Sequence, residues 1–219
     1  MLSQRKKNYM PLIPPIAKAA FDFSEEEAKE YFTWFVAHID ERAEYVAGKA
    51  ARGLNIPIEK MDYGMASMKL LWQWFLRIAE TEKRKNVRKF PFSENRKQAF
   101  AESIYQNAGS GLSVFTEYVL RDIGMYVGKS FTSRHQMIQW GYKTKPKRYA
   151  FVNTPLLMGF VDGSYTPPFH AEYDPIQLVR GLAMRMIEHR ESPEDLFDFL
   201  MRWENMIPKE GAGAIEQND

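Results

Sequence analysis

The chain has 219 residues, of which 45% are hydrophobic and 26% charged, and its formal net charge is +2. These values are typical of a globular protein and exclude a disordered chain, and the length suffices for one domain with a substantial core. The chain contains no cysteine, which excludes disulfides, thiolate metal sites and cysteine nucleophiles. No apolar run reaches the roughly 18 residues of a membrane helix, so we expect no membrane partner and a cytoplasmic location.

The sequence divides into an N-terminal extended arm (1–23), a single α+β domain (24–207) and a flexible tail (208–219). Ser24 and Glu27 have the spacing of a capping box and predict a first helix that runs to about Ala47. A short strand is predicted over 56–60, followed by a second helix over about 65–82 with a dense stripe of bulky apolar residues.

The middle of the chain has the apolar period of a helix, which then changes to the period of a strand. Apolar residues recur every three or four positions over 100–131, with either a break or a close helix crossing expected at Gly109 and Gly111. Gly124 and Gly128 indicate a second place where another element approaches the helix backbone. From about residue 137 the apolar period becomes two, which predicts three antiparallel strands within 137–161, the middle one over 148–152.

Two C-terminal helices are predicted from their start signals. Asp174 followed by Pro175 marks a helix that continues to about His189, and Ser192 precedes a last helix that ends near Met206. The predicted fold class is therefore α+β, a helix-rich domain with a small antiparallel sheet of about three strands in residues 137–161.

No metal, cofactor or phosphate motif is complete in this sequence. His170, Glu172 and Asp174 alternate along an extended segment and could supply metal ligands, but the helix cap already explains Asp174. The segment from Gly124 to Ser130 lacks the spacing of a phosphate-binding loop. We therefore expect no cofactor and no metal.

Two hypotheses about a function other than protein binding stay open. The chain could be an enzyme that acts on a small anionic substrate, with Asp62, Asp122 or His170 as acid or base and Arg121 or Arg134 holding the anion. It could also be a weak nucleic-acid binder, because basic residues are concentrated over 77–97 and 143–148.

Several segments together resemble a broad group of uncharacterised bacterial proteins that share a domain of unknown function. The resemblance lies in Met61–Asp62–Tyr63, in Asp122–Ile123–Gly124–Met125–Tyr126–Val127–Gly128, in Trp140, Pro155 and Gly159, and in Asp174–Pro175. In that group a helical G-x-Y-x-G segment is followed by a strand with a tryptophan. The resemblance covers about residues 55–200, departs at Gly64, and implies a bacterial cytoplasmic protein without transferring catalytic residues.

The hypothesis we favour from the sequence is a non-enzymatic protein-binding module of the immunity or accessory type. Its candidate surface combines aromatic and charged residues of the kinds that dominate binding hot spots: Asp122, Tyr126, Arg134, Trp140 and Tyr142. The partner protein is not identified by the sequence, and homo-oligomerisation stays open.

Overall fold

The structure is a computed structural model that describes residues 9–81 and 111–208. The predictions for the basic residues 83–97, for the break or close crossing at Gly109 and for the tail after Pro208 lie outside the described residues.

The α+β fold class is confirmed. The helices of the described residues are α1 (Glu25–Leu54), α2 (Met65–Ile78), α3 (Val114–Arg134), α4 (Pro175–Met184) and α5 (Asp195–Glu204). The strands are β1 (Gln139–Gly141), β2 (Leu156–Asp162) and β3 (Phe169–Tyr173), and short 3-10 helices occur at Ala20–Asp22, Ile58–Lys60 and Arg185–Glu188. None of the helices in residues 9–81 and 111–208 combines the length and the apolar character that crossing a membrane requires.

Helix α1 begins at the predicted capping box. The Ser24 hydroxyl accepts from the Glu27 N–H at 3.2 Å, and the Glu27 carboxylate accepts from the Ser24 N–H at 2.7 Å. The helix runs beyond its predicted end and stops at Asn55, which is left-handed with φ 57°. Gly53 does not break it, because that position is a packing contact: a Cβ there would lie 2.4 Å from Trp74 Cδ1.

The predicted strand over 56–60 is wrong. This segment is a 3-10 turn in which the Met61 N–H donates to the Ile58 carbonyl at 2.8 Å. Ile58 is 48% exposed, so its apolar side chain marks no buried strand. The turn leads directly into α2, whose Trp72 and Phe75 rings stack 4.7 Å apart in the core.

The sheet has the order β1-β2-β3 with both pairings antiparallel. It lies partly beyond the predicted range, because the expected strand over 148–152 is a series of turns and the third strand is β3. The Tyr149 N–H donates to the Pro146 carbonyl and the Val152 N–H to the Tyr149 carbonyl, and Asn153 is left-handed. Backbone groups used in these turns cannot join a ladder.

Helix α3 lies in the middle of the domain and packs against α1, α2 and α4. The close approaches predicted at its glycines are confirmed. A Cβ at Gly124 would lie 2.6 Å from Ile176 Cγ1, and a Cβ at Gly128 would lie 1.8 Å from Trp140 Cζ2. Glycine at these two positions therefore brings α4 and β1 into contact with the central helix.

Candidate binding cleft at the end of helix α3

Two residues of the sequence-predicted surface lie in the interior. Asp122 is 1% exposed and Tyr126 is fully buried on α3. The Tyr126 hydroxyl donates to Ser67 Oγ at 2.8 Å and accepts from the Tyr63 N–H at 3.1 Å. Burial raises the pKa of Tyr126 to about 12, so this phenol stays protonated. Because both residues are buried, the prediction that Asp122 and Tyr126 belong to a surface that a partner touches is wrong.

Asp122 belongs to a buried network that holds the arm. Arg42 Nε donates to Asp122 Oδ1 at 3.1 Å, and Arg42 Nη2 and the Tyr9 hydroxyl both contact Asp122 Oδ2. Arg42 Nη2 also donates to the Met10 carbonyl at 2.8 Å, and the Met10 N–H donates to the Tyr45 hydroxyl at 2.7 Å. Burial raises the pKa of Tyr9 well above its usual value, and the nearby carboxylate raises it further, so Tyr9 remains a donor.

Trp140 and Tyr142 belong to the packing between the sheet region and α1. The Trp140 ring meets the Phe35 ring edge to face at 5.1 Å, and Tyr142 stacks on Phe32 at 4.7 Å. Both residues are half-buried. Their removal would therefore disturb packing in addition to any partner contact.

Arg134, the remaining residue of the predicted surface, lines a cleft of about 800 Å³. The cleft lies between the C-terminal end of α3 and the segment that follows α5. Its lining residues are Arg134, His135, Gln136, Met137, Glu204, Asn205, Ile207 and Pro208.

The opposite charges that line this cleft, on Arg134 and Glu204, are paired with each other. Arg134 Nη1 contacts Glu204 Oε1, and His135 Nε2 lies 3.1 Å from Glu204 Oε2 without hydrogen-bond alignment. Arg134 Nε also donates to the Ser130 carbonyl at 3.1 Å. The guanidinium is therefore occupied by a carboxylate and by its own helix.

The other side of the cleft offers uncharged groups. The side-chain amides of Gln136 and Asn205 make no hydrogen bond to other described residues, and both residues are exposed. Next to them lie Met137, which is 37% exposed, and Ile207. Two amides beside an apolar patch can bind a polar backbone and an apolar side chain at the same time.

The residues of the enzyme hypothesis do not meet in this cleft. Asp62 accepts from the Gly64 N–H at 2.9 Å, Arg121 donates to the Leu12 carbonyl at 3.5 Å, and His170 lies on β3. Asp122 is buried and lies close enough to Arg121 to interact with it electrostatically, but the contact of Asp62 with Gly64 and the position of His170 on β3 bring neither of them to this pair.

Of the three weak candidates for metal ligands, Glu172 and Asp174 make separate contacts within the domain. Glu172 contacts Lys143 and accepts from the Tyr149 hydroxyl at 2.9 Å. Asp174 caps α4 by accepting from the N–H groups of the two residues after Pro175, at 2.9 and 3.0 Å. No three His, Asp or Glu side chains form a metal-binding group within the part of the chain that the structure describes.

The buried cap at Asp174 makes a prediction about pH. Burial raises the pKa of Asp174 to about 6 from 3.8, so the folded state binds this proton more tightly than the unfolded state does. The contribution of Asp174 to stability is then present below pH 4 and is lost as the pH rises through 6. Relative to Asp174→Asn, which keeps an acceptor at the cap, the wild type should lose about 2 kcal/mol of unfolding free energy between pH 4 and pH 7.

Urea unfolding of the wild type and of Asp174→Asn between pH 4 and pH 7 would check the direction of this change in stability. Asp162→Asn is the matched control, because hydrogen bonds from Ser164 lower the pKa of Asp162 and the difference should have the opposite direction. A wild type that gains stability over Asp174→Asn as the pH rises would contradict the prediction.

Three of the four basic residues of the cluster over 143–148 make contacts within the domain. Lys143 contacts Glu172, Lys145 Nζ lies 2.9 Å from a Glu25 carboxylate oxygen, and Lys147 donates to a carbonyl of the arm at 3.2 Å. These contacts reduce the positive potential available for a phosphate backbone.

The sequence pattern did not reveal the roles of Arg42, Glu204 and Asn205. Arg42 had a visible signal, because it follows Ile39 by three positions and precedes Val46 by four, on the apolar face of α1. A charged residue on such a stripe indicates a buried partner. Glu204 and Asn205 carried no comparable signal, since the end of a terminal helix is usually polar.

The chain was also compared with known proteins. No family model matches the sequence, and neither the curated proteins nor the solved structures include a significant match.

Proposed function

We propose that this protein is a non-enzymatic protein-binding module of the immunity or accessory type, and that it binds an extended, uncharged segment of its partner in the cleft at the end of α3. The observation that carries the proposal is the composition of this cleft, in which the charges compensate one another while the amides and the apolar side chains remain available.

A peptide segment matches this composition better than a small anion does. The primary amides of Gln136 and Asn205 can each donate to and accept from a peptide backbone, and Met137 offers an apolar contact for one side chain. An anion would have to displace Glu204 from Arg134, which costs an existing ion pair. The volume of about 800 Å³ is within the range of ligand-binding clefts.

A bacterial cytoplasmic setting is part of this proposal. It is supported by a chain without cysteine and by the sequence resemblance described above.

Substitution in the cleft should weaken peptide binding. Twelve-residue peptides selected from a random display library on the full chain should be rich in uncharged residues, and their affinities can be measured by fluorescence anisotropy. Met137→Asp and Asn205→Ala should each raise Kd about tenfold, because each removes one kind of contact, worth about 1.4 kcal/mol.

The matched control is Ile58→Asp, which places the same charge at an exposed apolar residue that does not line the cleft. Far-ultraviolet circular dichroism of all three variants would establish that they fold. Peptides that bind Met137→Asp as tightly as the wild type, or a selection dominated by acidic peptides, would refute the proposed mode of binding.

A further inference from the structure

Strand β3 is an open edge of the sheet within the described residues. It pairs with β2 on one side, and no backbone group of Phe169–Tyr173 forms a backbone hydrogen bond outside that ladder in residues 9–81 and 111–208. Beyond the part of β2 that pairs with β1, the Val161 N–H donates to the Met206 carbonyl at 2.7 Å, so this stretch of β2 has a further partner. Unpaired strand edges are templates for a further strand.

The open edge begins at an exposed aromatic pair. Phe169 is 57% exposed and Tyr165 is 59% exposed, and their ring centroids lie 6.0 Å apart. The loop between β2 and β3 carries no charged residue from Gly163 to Pro168, although charges commonly protect such edges. The exposed rings and the exposed His170 therefore lie at the start of the unpaired edge, whereas Ala171 is 6% exposed and its side chain packs in the core.

The sequence of β3 is self-complementary when it is read antiparallel about its centre. The strand reads Phe169, His170, Ala171, Glu172, Tyr173. With Ala171 opposite itself, His170 of one copy lies opposite Glu172 of the other, and Phe169 lies opposite Tyr173. An imidazole then faces a carboxylate, a ring faces a ring, and the small central residue allows close approach.

We propose that two copies of this chain pair through β3 about a twofold axis at Ala171, which joins two three-stranded sheets into one of six strands. Such an isologous contact is the usual geometry of a homodimer. The side chains of β3 permit it, since Glu172 uses one oxygen for Lys143 and the other for Tyr149 and keeps lone pairs for a further donor. The inference is independent of the proposed function, because it needs no other protein.

The absence of cysteine allows a direct test. Opposite residues of an antiparallel pair have Cα atoms about 4.5–5.5 Å apart, which is within the range of a disulfide. Ala171→Cys should therefore form a covalent dimer on mild oxidation of the purified full chain. Gly181→Cys is the control for cross-linking by random collision, because a side chain on this exposed face of α4 meets nothing within 4 Å, and it should cross-link more slowly than Ala171→Cys.

Charge substitution tests the pairing without a cross-link. By sedimentation velocity the wild type should show a monomer–dimer equilibrium in the micromolar range, and His170→Glu should raise the dimer Kd at least tenfold by placing two carboxylates opposite each other. His189→Glu makes the same exchange at an exposed residue outside the sheet and should leave the equilibrium unchanged.

A wild type that remains monomeric at about 100 μM, a value well above the micromolar affinities of weak complexes, would overturn the inference. It would also fail if a dimer formed but Ala171→Cys cross-linked no faster than Gly181→Cys, or if His170→Glu left the dimer intact. Peptide binding in the cleft uses other residues, so these results are distinguishable from failure of the proposed function.

Discussion

Replacing Asp122 with alanine is expected to lower the free energy of unfolding by about 3–5 kcal/mol. The substitution leaves Arg42, which is 3% exposed, with a buried and uncompensated charge. It also removes the acceptor of the Tyr9 hydroxyl, which contributes to holding the arm against the domain. The loss can be measured by urea unfolding monitored through tryptophan fluorescence.

A double-mutant cycle shows whether the two charges act as a pair. Arg42→Met and Asp122→Leu should each be about as costly as Asp122→Ala, whereas the two combined should recover a large part of the loss, since no buried charge is then left alone. In this double variant the Met10 carbonyl loses its donor and the Tyr9 hydroxyl loses its acceptor, so recovery should stop about 2 kcal/mol short. Losses that simply add in the double variant would contradict this account of the network.

The second large effect is expected at Gly128. In Gly128→Ala the new methyl carbon would be placed 1.8 Å from Trp140 Cζ2, so the tryptophan must move. Trp140 is held on its other side by Phe35, and overpacking of this kind costs about 2–3 kcal/mol. Thermal and urea unfolding should both show the loss.

Gly181→Ala is the matched control for Gly128→Ala. Both glycines lie inside helices, but a Cβ at Gly181 meets no atom within 4 Å. There the helix propensity of alanine should stabilise the protein by about 0.5–1 kcal/mol. Effects of the same sign at the two positions would show that backbone propensity, and not contact with Trp140, decides the outcome.

The local signals in the sequence were sufficient for most helix starts. Ser24 and Asp174 cap the helices that they were predicted to cap, because their side chains bond to backbone groups two or three residues away. The end of α1 was predicted seven residues too early. Gly53 lies inside the longer helix, because tertiary contact with Trp74 uses its missing side chain.

The strands were less predictable. The apolar residues over 148–152 favour a strand by pattern, yet local turn hydrogen bonds use their backbone groups. Phe169–Tyr173 lies after two prolines and reads as a loop, and only its pairing with β2 makes it a strand. A strand depends on a partner that is distant in sequence, so its own residues specify it weakly.

The candidate binding surface was also hard to predict, because burial on a helix depends on residues that are distant in sequence. Asp122 and Arg134 lie on one helix and look alike as charged residues in the sequence, but Asp122 is turned toward Arg42 in the interior while Arg134 reaches the cleft. The periodicity of α3 did not separate them, because apolar and small residues surround this helix on nearly every side.

By itself, the sequence determined the α+β class, most helix starts and the close approaches at Gly124 and Gly128, since caps, apolar periods and missing side chains act over short stretches of chain. Only the tertiary structure decided that Arg42 and Asp122 form a buried pair, that Gln136 and Asn205 share a cleft, and that β3 is the outermost strand on its side of the sheet among the described residues. Those features join residues that are 69 to 80 positions apart or depend on which strand lies outermost, and such relations arise from packing of the whole chain.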